Sequence, residues 1–157
     1  MILLNIIWPV FAMVVLTFGV WFTLFVQRVA HMKRVPATAD DLATGDATRR
    51  YFEPVEAASN NLTNLFEMPV LFYALVPLLV FAGAATAAQV VLAWAFVLCR
   101  SAHSIIHIGR RRVPVRFMAY LASCAVLAAM WIGFAIDTAA AASRYSQAQP
   151  SLAAAKP

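Results

Sequence analysis

Asn60, Asn64 and Glu67 recur at i, i+4 and i+7, a spacing that puts them on one face of a helix. Arg100, His103 and His107 recur at i, i+3 and i+7 and share a face of their own. A carboxylate, amides, a guanidinium and two imidazoles held away from water could bind a small ligand carrying both signs of charge. They could also relay protons, although the chain shows neither an internal repeat nor a helix interrupted by Gly and Pro, the features expected of a transporter. His103 and His107 could share a metal ion on one helix face, but only Glu67 offers itself as a third ligand, so no metal is expected. Arg110, Arg111, Arg112 and Arg116 extend the pattern, with Arg28 closing the first apolar run. Together they make a basic funnel over the carboxylate and amides, suited to an anion that also bears some positive charge.

These side chains stand in a sequence that is 63% hydrophobic and 12% charged, with a mean hydropathy of +0.77. A water-soluble domain of this length could not hide so much apolar surface. Residues 1–26, 68–99 and 117–136 carry no charge at all. A spanning helix needs roughly 20 apolar residues to cross about 30 Å of hydrocarbon. The second run is too long for one span and has a turn signal at Gly83-Ala84-Ala85-Thr86. Spans are therefore expected near 2–27, 58–82, 87–109 and 115–138. The fold class is all-α membrane, a four-transmembrane-helix bundle over 1–142 with a disordered tail over 143–157. The first run lacks a preceding Lys or Arg and reads as a retained helix rather than a secretory signal.

Basic residues gather in the connections after the first and third spans, whereas the 83–86 turn has none. The positive-inside rule then places loops 28–57 and 110–114 in the cytoplasm and both termini outside. The formal net charge of +5 is accounted for by that topology and by lipid headgroups; no nucleic-acid-reading motif accompanies it. Cys99 and Cys124 fall inside spans and are expected to pack as small apolar side chains, not to form a disulfide.

Depth decides whether the two polar faces meet. From ends near 58 and 109, Glu67 and Arg100 both lie about 13–14 Å in, and Asn64 and His103 about 9 Å. The antiparallel pair should bring Glu67 level with Arg100, where an ion pair is tolerable and an unpaired charge is not. Such a pair could be a clasp that fixes helix register. The groups above it, open toward the cytoplasm, could still form a site.

The chain resembles the MAPEG superfamily, membrane-associated proteins of eicosanoid and glutathione metabolism. One resembling segment is Asn64-Leu65-Phe66-Glu67 followed by Pro69; the other is Arg100, His103, Arg112, Pro114 and Arg116 in the spacing of the glutathione transferase and prostaglandin E synthase branch. The resemblance implies a homotrimer with glutathione bound between neighbouring subunits near the cytoplasmic face. It implies glutathione contacts at Asn64, Glu67, Arg100, His103 and Arg112, and by looser alignment at Arg28; His107 stands where relatives carry a tyrosine contact. Arg116 would match the arginine that stabilises the thiolate, which would attack a small hydrophobic electrophile arriving from the bilayer. A free thiol has a pKa of about 8.5, so a nearby guanidinium in a dry pocket favours the reactive anion. Asn60 stands where relatives carry an arginine, and the Glu-to-Pro spacing is shorter. The alternative is a non-enzymatic membrane protein of the same fold whose polar cluster is structural or binds a lipid headgroup.

Overall fold

A computed structural model describes residues 5–109 and 113–154, with side chains as far as 148. Helix α1 is Ile7–Arg34, α2 Gly45–Phe52, α3 Glu56–Leu65, α4 Met68–Phe81, α5 Ala87–Gly109 and α6 Val113–Ala154. Four stretches are long and apolar enough to cross a membrane: Ile7–Arg34, Gly45–Phe81, Ala87–Gly109 and Val113–Ala148. The protein is an integral membrane four-helix bundle in which α3 and α4 together make the second span.

That second span is broken, where the sequence suggests a continuous helix over 58–82. Pro69 stands near the start of α4 and has no N–H to give the carbonyl four residues back. The Phe66 amide tightens onto Thr63 O at 2.9 Å, and the Glu67 backbone leaves the helical region (φ −92°, ψ −98°) before α4 resumes. Two carbonyls at the break thus lose their usual amide partners, a loss that must be met elsewhere within a bilayer.

The α4–α5 turn has its own chemistry. Gly83 takes a left-handed φ of +66°, and the Ala84 and Gly83 amides bond back to Leu79 O and Val80 O, the pattern that caps a helix end with glycine. Thr86 then caps α5 by accepting from the Gln89 amide at 3.3 Å.

The most extensive interface is α5 against α6. The core lies between the four spans and holds Met13, Phe72, Leu75, Phe96, Leu127 and Met130, with Phe72 and Phe96 stacked at 4.8 Å. Far from the basic residues, buried Gln89 donates to Met130 O at 3.1 Å and ties α5 to α6. A side chain at Gly133 would meet this Gln89 amide at 3.1 Å, so a small residue there lets the pair approach.

Helix α6 continues to Ala154, through the segment from Ser143 that composition suggests is a disordered tail. Ala139–Ala142 and the later alanines are the strongest helix formers, so the helix propagates beyond the span.

The connection between α1 and α3 is ordered and packed on α1. Tyr51 donates its hydroxyl to Val35 O, and the rings of His31, Tyr51 and Phe52 cluster at 4.7–6.0 Å between centroids. Thr44 caps α2 by accepting from the Ala47 amide at 3.2 Å.

Candidate functional site

Helix α5 carries the deepest polar groups. Arg100 has no exposed surface, and His103, Ser104 and His107 are buried on the same side of the helix. Arg100 Nη2 donates to the main-chain carbonyl of Asn64, so the oxygen released by the break in the second span receives a charged donor. The Arg100 guanidinium also lies 5.6 Å from the centre of the Tyr120 ring, on α6. Among the described residues its Nε and Nη1 have no partner.

Among the described residues the expected ion pair between Glu67 and Arg100 does not form; Glu67 is exposed. The depth count puts Glu67 level with Arg100 on the assumption of a continuous helix; the bond that forms joins Arg100 to Asn64. Glu67 is nonetheless near enough for its charge to act on the Arg100 guanidinium and on Tyr120. Interhelical bonding falls instead to Asn61, fully buried, whose side-chain carbonyl accepts from Ser104 Oγ at 3.3 Å. Asn60 is exposed, and its main-chain carbonyl accepts from the Asn64 side-chain amide at 2.9 Å.

Between α3, α5 and the start of α6 lies a cavity of about 440 Å³ lined by Asn64, His103, Pro114, Arg116, Phe117 and Tyr120. His103 Nδ1 is 3.1 Å from the carbonyl of Arg116. A carbonyl can only accept, so Nδ1 carries the hydrogen and, in the neutral ring, Nε2 keeps its lone pair. That Nε2 is buried and, among the described residues, without a partner. The His103 ring also packs against Tyr120 and His107, at 5.8 and 5.4 Å. Tyr120 is a site residue that the sequence reading misses. Its signal was its position one helical turn beyond Arg116, on the same face.

His107 does not line this cavity. It lines an adjoining one of about 390 Å³ that shares Val113 and Arg116 and adds Glu53, Glu56 and Asn60. Its Nδ1 is likewise buried and has no partner among the described residues. Among the described residues no group of three or more His, Cys, Asp or Glu is placed to hold a metal ion. Arg28 lines neither of these two cavities. It stacks on Phe52 at 4.8 Å, donates to Ser59 Oγ at 3.5 Å and lines a different cavity with Arg49. Arg112 lies outside the described residues, as do Arg110 and Arg111.

The arrangement can do specific chemistry. A half-buried guanidinium (Arg116), an imidazole with a free lone pair (His103) and an amide-bearing helix end (Asn64) face one cavity. Phe117 and Tyr120 supply it with an apolar wall. Such a cavity suits an anionic or acidic group beside an apolar one. Comparison with known proteins agrees with this architecture. No curated protein and no solved structure matches the chain. The MAPEG family profile, however, matches residues 6–136, most of its length. The chain belongs to the MAPEG family.

Proposed function

We propose that this protein is a membrane glutathione transferase, which conjugates glutathione to a small hydrophobic electrophile. The observation that carries the reading is the single cavity shared by Asn64, His103, Arg116 and Tyr120. Family membership supports it, since the MAPEG family includes glutathione transferases.

In this reading the thiol sits between Arg116 and His103. His103 Nε2 takes the thiol proton, with Nδ1–H fixed on the Arg116 carbonyl. The Arg116 guanidinium stabilises the resulting thiolate; each unit by which the thiol pKa falls corresponds to about 1.4 kcal/mol. The thiolate sulfur attacks the electrophilic carbon and forms a thioether. The leaving group departs with its electron pair, or an epoxide oxygen keeps that pair and takes a proton. Phe117 and Tyr120 wall the side from which an apolar electrophile enters. Arg100 is a positioning residue, because it holds the Asn64 segment through its main-chain carbonyl. Arg112 and His107 are proposed to contact the remainder of the glutathione, and Glu67 its ammonium, with neighbouring copies of a homotrimer closing the site. The basic connections lie in the cytoplasm in this reading, where glutathione is present.

A second reading has an observation of its own: Asn61–Ser104 and Arg100–Asn64 are internal bonds that would hold the helices together without any ligand. The two separate in a conjugation assay in lipid nanodiscs with a chromogenic aryl halide. The transferase reading expects glutathione-dependent turnover that falls at least a hundredfold in Arg116→Ala while the protein stays folded. Turnover equal in both, or absent across an electrophile panel, favours the structural reading.

A further inference from the structure

Arg28 and Arg49 line a cavity of about 420 Å³ between α1, α2 and α3, distinct from the 440 Å³ cavity of Arg116 and His103 and bordering the 390 Å³ one of Arg116 and His107 at Glu56 and Asn60. Its wall is polar: Thr48, Ser59 and Thr63 add hydroxyl groups and Glu56 a carboxylate. Arg28 is half-buried, and its Nε has no partner among the described residues, although Phe52 and Ser59 hold the rest of the guanidinium in place. A fixed guanidinium with a spare N–H, a second guanidinium on the rim and a set of hydroxyls are the donors that a phosphate oxygen cluster takes.

What lies next to this cavity identifies the kind of phosphate. Arg28 and Phe52 also line a second groove of about 250 Å³, shared with Trp21, Leu24, Phe25 and Met32. Trp21 and Phe25 are exposed on the outer face of α1, within the span. From Arg28 to Trp21 the groove runs about 10 Å down the helix axis, from the basic end into the hydrocarbon. Polar donors at one end and an apolar channel at the other, joined at Arg28 and Phe52, match an amphiphile and not a free anion. Glu56 beside the guanidinium groups further suits a headgroup that carries an ammonium next to its phosphate.

We propose that this paired cavity and groove is a phospholipid site for a phosphatidylethanolamine-type lipid. The phosphate sits between Arg28 and Arg49, the ammonium faces Glu56, and one acyl chain lies along Trp21, Leu24 and Phe25. The His31–Tyr51–Phe52 cluster, which folds α2 back onto α1, is what builds the site.

Thermal unfolding in lipid-free detergent tests this without any thiol present, so its outcome does not depend on the transferase reading. Phosphatidylethanolamine, phosphatidylglycerol and inorganic phosphate are titrated separately into the protein. Phosphatidylethanolamine should raise the midpoint saturably, with an apparent Kd at least threefold below that for phosphatidylglycerol. Arg49→Gln, an exposed position whose change leaves the core intact, should weaken binding at least tenfold. Inorganic phosphate alone should shift the midpoint little. An equal shift with inorganic phosphate would mean a free-anion site and overturn the lipid assignment. Binding unchanged in Arg49→Gln would mean non-specific lipid coating, and equal affinity for the two lipids would remove the ammonium from the proposal. No shift with either lipid overturns the site itself.

Discussion

Arg100 donates to the main-chain carbonyl of Asn64, the oxygen that the broken second span leaves without an amide partner. The relationship links a proline to a binding surface. Pro69 opens the helix, the opening frees a carbonyl, and a buried guanidinium on the neighbouring helix takes it up. In the proposed transferase this fixes the Asn64 edge of the cavity before any ligand arrives.

Arg100 is an unusual residue to keep for stability alone. Two of its nitrogens are buried without partners among the described residues, and a buried charge so poorly satisfied costs several kcal/mol. Losing its bond leaves one carbonyl unsatisfied, a penalty of about 1–3 kcal/mol. The first effect outweighs the second. Arg100→Met should therefore be no more than about 1 kcal/mol less stable than wild type, yet lose glutathione binding. Unfolding in detergent, with and without glutathione, checks both halves.

Asn61 and Ser104 should show the opposite behaviour. Ser104→Ala strands the buried Asn61 side chain and should cost about 1–3 kcal/mol in unfolding free energy, with ligand affinity unchanged. Replacing both partners by apolar residues (Asn61→Leu with Ser104→Ala) should recover part of that loss. A double change as damaging as the sum of the single ones would show that the pair does not interact.

Pro69→Ala supplies the missing N–H. With a continuous helix available, the Asn64 and Leu65 carbonyls can regain main-chain partners, and Arg100 loses its acceptor. We expect glutathione affinity to fall at least tenfold, with little change in thermal stability. Isothermal titration of the variant in nanodiscs measures it, and an unaltered affinity would mean that the break has no part in shaping the site.

The Thr38–Asp41 turn outside the membrane gives a pH signature. The Thr38 hydroxyl and then its amide donate to the Asp41 carboxylate, at 2.7 and 2.9 Å, and hold its pKa below the usual 3.8. A depressed folded pKa contributes order that is complete above 3.8 and is lost as pH falls through the lower, folded value. Hydrogen exchange across residues 38–43 should stay protected down to that value and then rise. Thr38→Val should shift the loss to higher pH.

Much of this architecture is legible in residue order because it follows from local rules. Uncharged runs of spanning length give the four helices. The i, i+3 and i+4 spacings put Arg100, His103 and His107 on one buried face, and equal depth brings Asn64 near them. The rest depends on geometry that no local pattern carries. Among the described residues Glu67 forms no ion pair with Arg100, and Pro69 interrupts the second span just where a depth count assumes an unbroken rise. Asn60 and Asn61 look alike in sequence, and only the rotation of α3 decides that Asn61 is buried against Ser104 while Asn60 is exposed. Arg28 shares a cavity with Arg49 because the aromatic cluster of His31, Tyr51 and Phe52 folds α2 over the end of α1. That packing spans a long connection, and nothing in the spacing of basic residues announces it.

The most direct test of the transferase account is thermal unfolding of the detergent-purified protein across a glutathione titration. A ligand that binds only the folded state stabilises it by about 2.7 kcal/mol at a hundred times its Kd. The account predicts a saturable rise in midpoint, lost in Arg116→Ala and in Arg100→Met although both variants remain folded. No rise up to millimolar glutathione, or an equal rise in wild type and both variants, would contradict it.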